Sequence, residues 1–193
     1  MTLARRTLLA LAATAALPLS AQAQAAWPTK PIRIVVPYSP GGSSDIIARA
    51  IATPLGQALG QTVIVDNKPG ANGNTGTDAV AKSNDGHTLL LCDLGALAIS
   101  TTLYKQLPFN ASRDLKGVTM LAYSPHLLVV HPSVPANNLG ELVALSKKQP
   151  LNVAVTAIGS APHLAAIAVE KATGAQWAYI PYKGGSQIGR AHV

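Results

Sequence analysis

The sequence predicts an α/β fold with a parallel sheet, and three observations carry that prediction. Apolar runs of strand length alternate with stretches of helical apolar spacing: 32–36 then 46–51, 62–66 then 75–83, and finally 88–92. A βαβαβ order of this kind implies a parallel sheet with right-handed crossovers. The layout recurs in the second half, where an apolar run at 151–156 leads through a turn of Gly, Ser and Pro into a helical stretch at 164–172. Ligands of such sheets sit beyond the carboxyl ends of the strands, so the loops at 39–44, 70–75 and 93–96 should converge.

Taken in order, the chain opens with Arg5-Arg6 and an apolar run over 7–20 that ends in two A-x-A sites, Ala21-Gln22-Ala23 and Ala23-Gln24-Ala25. The run is shorter than the ~20 residues a bilayer requires, so 1–25 reads as a secretory signal peptide cleaved near Ala23 to Ala25. Sec and Tat export both stay open, and the mature protein is expected outside the cytoplasm. A composition of 48% hydrophobic and 12% charged residues suits a globular domain. The formal charge of +7 falls to +5 without Arg5 and Arg6. It is scattered rather than clustered, which argues against a nucleic-acid partner and mildly favours anionic ligands. Cys92 is the sole cysteine, so no intrachain disulfide forms, and no neighbour marks it as a reactive thiol. His87, His126 and His131 lack metal-ligand spacing; neither a metal nor a cofactor is implied.

The candidate site begins at Pro37-Tyr38-Ser39-Pro40-Gly41-Gly42-Ser43-Ser44-Asp45, where the first strand stops at a glycine turn that opens a helix. Adjacent glycines admit close backbone approach, and the N–H groups of a helix start suit a phosphate or a carboxylate. The stretch is neither GxxxxGK[ST] nor GxGxxG, so a nucleotide loop is not indicated, and an ordinary turn with Ser43 or Ser44 as N-cap is the alternative. Pro54 should kink the first helix and Gly60 should end it. A further strand is expected at 127–131, followed by a helix capped by Asn137 or Asn138 that ends at Pro150. The second turn, Ala157-Ile158-Gly159-Ser160-Ala161-Pro162-His163, repeats the first in kind. Asp45 reads as a helix-start cap, and Asp93 as a turn cap or a partner for a ligand amino group. His163 either fixes its loop or touches ligand. Ser160, His163 and Asp93 also allow a hydrolase reading, but the turn lacks the second glycine of GxSxG.

In Pro31-Ile32-Arg33-Ile34-Val35-Val36-Pro37-Tyr38-Ser39-Pro40-Gly41-Gly42 with Asp45 and Ala48-Arg49, the chain resembles Bug-type receptors, the periplasmic substrate-binding proteins of tripartite tricarboxylate transporters. The resemblance continues through Leu59-Gly60-Gln61, Asp66-Asn67-Lys68-Pro69-Gly70-Ala71, Asp85-Gly86-His87-Thr88-Leu89-Leu90, Gly159-Ser160 with His163-Leu164, and Ile180-Pro181-Tyr182-Lys183-Gly184. It implies a two-lobed type II periplasmic-binding-protein (Venus flytrap) fold. It also implies an extracytoplasmic, monomeric receptor that is not an enzyme and that hands a small carboxylate to a membrane permease or, alternatively, presents it to a sensor. The ligand-binding positions carried over are Tyr38, Ser39, Gly41, Gly42 and Ser43 on one lobe and Thr156, Gly159, Ser160 and His163 on the other. Ala157 stands where family members often have glycine. The domain reading is a signal peptide at 1–25, lobe 1 at 26–121, an incomplete lobe 2 at 122–186 and a non-native tail at 187–193. That tail, Gln187-Ile188-Gly189-Arg190-Ala191-His192-Val193, matches the translation of a sequencing-library adapter, so a truncated gene product is expected.

Overall fold

The computed structural model describes residues 26–191; the signal-peptide reading falls on residues outside that range. The first sheet has three parallel strands in the order β2-β1-β3: β1 (Ile32–Val36), β2 (Val63–Asn67) and β3 (Thr88–Leu90). Strand β1 is central because its residues are apolar on both faces. Ile32, Val35 and Val36 are fully buried, as a strand covered on either side requires. Arg33 is the exception, reaching out to Asp66 at 3.7 Å. Its register aligns Ile34 with Val65 of β2 and Leu89 of β3.

Helix α1 (Ser43–Leu59) lays Ala48, Ile51 and Leu55 on this sheet beside Ile34 and Val36. It runs on through Pro54 and ends where Gly60, at φ +66, returns its N–H to the Gly56 carbonyl. Pro54 lies on the exposed side, where the lost backbone donor leaves no buried acceptor stranded. The N-cap is Gly42, not Ser43 or Ser44; Ser43 is already helical and exposed. Helix α2 (Asn74–Ala81) connects β2 to β3, entered by a tight turn at Ala71–Gly73.

The second unit is a β-α-β pair: β4 (Leu151–Val155) lies parallel to β5 (Trp177–Pro181), with Val153 opposite Tyr179. Between the two units come α3 (Ser100–Leu103), which extends a π-helical turn at Gly95–Ile99, the short α4 (Ala111–Asp114) and α5 (Leu139–Lys148). Asn138 caps α5, accepting from the Glu141 N–H at 3.0 Å. Helix α6 (Ala161–Thr173) connects β4 to β5, and α7 (Gly185–Ala191) follows β5. Val143 of α5, Ala175 and Trp177 form the buried centre here, with Leu151, Val153, Ala166 and Val169 packed around them.

The strand expected at 127–131 does not form. Leu127 is 83% and Val129 63% exposed, and no strand among the described residues pairs with this extended stretch. Strand composition alone does not make a strand; the ladder needs a neighbour to take its N–H and C=O groups.

Candidate functional site

A network of side chains pins the turn after β1. Asp45, in the first turn of α1, accepts from the Gly41 N–H at 2.8 Å and from Arg49 Nε at 3.0 Å. Arg49 also donates to Asn67 Oδ1 at 3.2 Å, and Asn67 Nδ2 donates to the Tyr38 carbonyl at 3.1 Å. Burial alone would raise the Asp45 carboxyl, but the hydrogen bonds from Arg49, Gly41 and Asn67 outweigh it and hold it below the ordinary carboxylate value. Asp45 thus does not cap an N–H of the helix as its position suggested; it ties the Gly41 N–H, one residue before the Gly42 cap, to Arg49.

The loops at the carboxyl ends of β1, β2 and β3 do converge. Tyr38 is buried, and its hydroxyl donates to Asp93 Oδ1 at 2.6 Å, while the same oxygen accepts from the Gly95 N–H at 2.8 Å. Asp93 is therefore a turn cap. Burial first, and Asp93 second, push the Tyr38 phenol far above its ordinary pKa, so it stays a donor. The loop after β2 presses on this group: a methyl on Gly73 would sit 3.1 Å from the Tyr38 hydroxyl and 3.2 Å from Ala96 Cβ. That approach is made by consecutive residues at positive φ, Gly70 at 141°, Ala71 at 46°, Asn72 at 56° and Gly73 at 87°. For Ala71 the left-handed conformation costs roughly 1 kcal/mol. Cys92 next to Asp93 is an ordinary half-buried thiol, pushed up to about 12 by burial and by that carboxylate.

The second unit brings its own strand ends to the same place. Ser39 donates to the Lys183 carbonyl through both its N–H, at 3.2 Å, and its hydroxyl, at 3.1 Å. Asn72 Nδ2 donates to the Gly159 carbonyl at 3.0 Å. Between these contacts lies a cavity of about 270 Å³ whose walls come from Tyr38, residues 70–73, Tyr104, residues 156–158 and residues 181–183. Lys183 is the only charged residue among those lining it. An open depression of about 480 Å³ beside Gly56, Gly60 and Thr62 lies at the opposite end of α1 from these loops.

Of the expected site residues, Tyr38 and Thr156 line the cavity. Ser39 sits at its edge, held by Lys183, and Gly41, Gly42 and Ser43 form the start of α1. A methyl on Gly42 would lie 3.7 Å from the Gly185 nitrogen, so this start faces the turn after β5. Gly159, Ser160 and His163 are committed to one another. The Ser160 hydroxyl donates to the Ala157 carbonyl at 2.8 Å and accepts from the His163 N–H at 3.4 Å, while Nδ1 of His163 accepts from the Gly159 N–H at 3.0 Å. The His163 ring stacks edge-on against Tyr179, with centroids 4.6 Å apart. Burial lowers its pKa below the ordinary value, against a smaller opposing pull from Glu170. The Ser160 hydroxyl thus meets backbone groups rather than the His163 ring, and Asp93 is engaged with Tyr38. This is not the relay that a hydrolase triad needs.

Sequence reasoning did not assign Asn72, Tyr104, Tyr182 or Lys183 to the site. For Asn72 a signal existed, since Pro69-Gly70-Ala71-Asn72-Gly73 belongs to a loop expected to converge on the first turn. For Tyr104, which lies between the two units, the sequence carried none.

A family model described as "Tripartite tricarboxylate transporter family receptor" matches residues 47–191. The protein BugT of Bordetella pertussis is 43% identical over 162 residues, covering 82% of this chain and 50% of that protein. The structure of Rpa4515 from R. palustris with adipate superposes with a TM-score of 0.82 at 33% identity, over 85% of this chain and 56% of that one. MatC from Rhodopseudomonas palustris with bound malate gives a TM-score of 0.79 at 27% identity, over 86% and 57%. The chain spans about half the length of the relatives it matches.

Proposed function

The chain belongs to the tripartite tricarboxylate transporter receptor family, and from that premise we propose that this protein is a periplasmic solute receptor that holds a small carboxylate between two lobes and delivers it to a tripartite-type permease. The observation that carries the reading is the cavity itself. It is a half-open cleft bounded by the strand-end loops of both α/β units, and its one charged lining residue is a cation. The neighbour structures were solved with adipate and with malate, which supports a ligand of that class here.

In this reading 26–121 and 122–186 belong to different lobes, and each set of site residues has a distinct task. The first-turn N–H groups of α1, which have no intrahelical acceptor, meet the anion beside Ser39, Gly41, Gly42 and Ser43. Tyr38 and Thr156 wall the ligand, and Gly159, Ser160 and His163 shape the opposite wall. The protein performs no chemistry on what it binds, acts as a monomer and opens and closes about a hinge between its lobes.

Titration calorimetry with malate, adipate and citrate tests the reading, alongside chromatography of each mixture for products. Saturable binding of at least one, without turnover, is expected. Absence of heat with all three, or turnover lost in Ser160→Ala, would overturn it.

A further inference from the structure

We propose that Asn72 positions the two walls of the cleft: its side-chain amide ties the loop after β2 to the loop after β4 and holds the cleft shut before a ligand enters. This inference rests on reading the cavity as the ligand cleft. The Asn72 Nδ2 to Gly159 carbonyl bond, at 3.0 Å, spans 87 positions of sequence and is buried. The same residue is held from its own unit as well, since the Gly159 N–H donates to Nδ1 of His163 at 3.0 Å. Gly159 is therefore fixed by one side chain from each unit, and the residues just before it, 156–158, form the cavity wall.

Three further features single out this side chain. Asn72 is only 6% exposed, yet its Oδ1 meets no protein hydrogen-bond donor among the described residues. A buried amide left half-satisfied is a poor device for stability, which points to a role outside the fold's own economy. Asn72 also sits at φ 56 in the left-handed region, where asparagine is among the best-tolerated non-glycine residues but glycine is better still. The other hydrogen-bonded pair across the cleft among the described residues, Ser39 with Lys183, includes a backbone N–H that any residue but proline would supply. The Asn72 contact depends wholly on its side chain.

Removing the donor would strand the buried Gly159 carbonyl, and opening the cleft lets water satisfy it. The closed-to-open ratio should then fall by about tenfold, raising the open fraction by the same factor. Asn72→Gly deletes the amide without straining the turn, and Asn72→Asp keeps the shape but sets a carboxylate against the Gly159 carbonyl.

Residue-resolved hydrogen exchange on the ligand-free, full-length protein tests the proposal. The Ser39 amide, bonded across the cleft, should exchange about tenfold faster in both variants. The Leu91 amide, bonded to Val35, and the Tyr182 amide, bonded to Val155, lie within single units and should keep their rates. Unchanged Ser39 protection in Asn72→Gly would overturn the proposal, and so would equal losses at Leu91 and Tyr182, which would make Asn72 a general fold residue. No ligand is needed, so a wild-type protein that binds neither malate nor adipate counts against the receptor reading and not against this one.

Discussion

Ser160→Ala separates two roles for the hydroxyl that the sequence alone leaves merged. Ser160 is 2% exposed and caps α6, accepting from the His163 N–H at a long 3.4 Å and donating to the Ala157 carbonyl at 2.8 Å. Losing an N-cap serine costs about 1 kcal/mol, within a range of roughly 0.5–2. The Ala157 carbonyl keeps a partner after the substitution, because it also accepts from the Ser160 N–H at 3.2 Å. Only the His163 N–H is then stranded, and its bond was already long, so the loss should fall near 1 kcal/mol rather than at the upper end. With a urea slope of about 2 kcal/mol/M, that moves the unfolding midpoint of the full-length protein down by about 0.5 M. The hydroxyl does not line the cavity, so affinity for malate or adipate should change less than about threefold, under roughly 0.7 kcal/mol. Equilibrium urea denaturation and calorimetry on the same samples give both numbers. An unmoved midpoint with a tenfold loss of affinity would show that the hydroxyl meets the ligand and that its capping role is wrong.

Gly159→Ala should destabilise by about 2 kcal/mol or more, since Gly159 sits at φ +81 and a methyl would run into Leu103 Cδ2; partial recovery in a Leu103→Ala background checks the cause by urea midpoint. Gly76→Ala adds a methyl 2.7 Å from Pro37 Cβ and 3.0 Å from the Lys68 carbonyl. The clash should outweigh alanine's better helix propensity by about 1–3 kcal/mol, read as a lower Tm. The His163 pKa is lowered in the folded protein, so its contribution is fully present above the unfolded value near 6.5 and is lost as pH falls through that value toward the folded one. His163→Asn, which retains an acceptor for the Gly159 N–H, should flatten the stability profile below pH 6.5. The Asp45 carboxyl is likewise held low, so its contribution is present above about pH 3.9 and lost on acidification below it. Acid unfolding of Asp45→Asn should therefore be less steep below pH 4 than that of wild type.

The parts of the fold that were legible in the sequence are those fixed by local pattern. The apolar run of β1 and the glycine that ends α1 declare themselves, and Asn138 caps its helix as its position before an apolar run suggests. The 127–131 stretch shows the limit of that reasoning. Its composition suits a strand, but pairing is a property of two segments, and among the described residues the second is lacking. The π-helical turn at Gly95–Ile99 was equally hidden, since no propensity distinguishes it from a loop. In the site, Tyr38 and Thr156 are carried over from the family resemblance and stand just past β1 and β4, whereas Tyr104 reaches the cavity only through the path of the connecting chain.

The two turns that look alike in sequence differ in what they leave unspent, and two residues account for it. In the turn after β4, Pro162 has no N–H and His163 gives its own to the Ser160 hydroxyl, so the start of α6 is largely satisfied from within. In the turn after β1, Asp45 spends its carboxylate on Gly41 N–H, outside the helix, and on Arg49. The cap residue, Gly42, has no side chain with which to cover the first-turn N–H groups. A serine with a proline two positions on therefore makes a closed helix start, and a pair of glycines followed by an inward-tied aspartate makes an open one. On the receptor reading, an anion drawn to helix dipoles would meet first-turn N–H groups without a partner among the described residues at α1 and few at α6. The apparent symmetry of two gripping loops thus resolves into one loop with donors to offer and one that supplies shape.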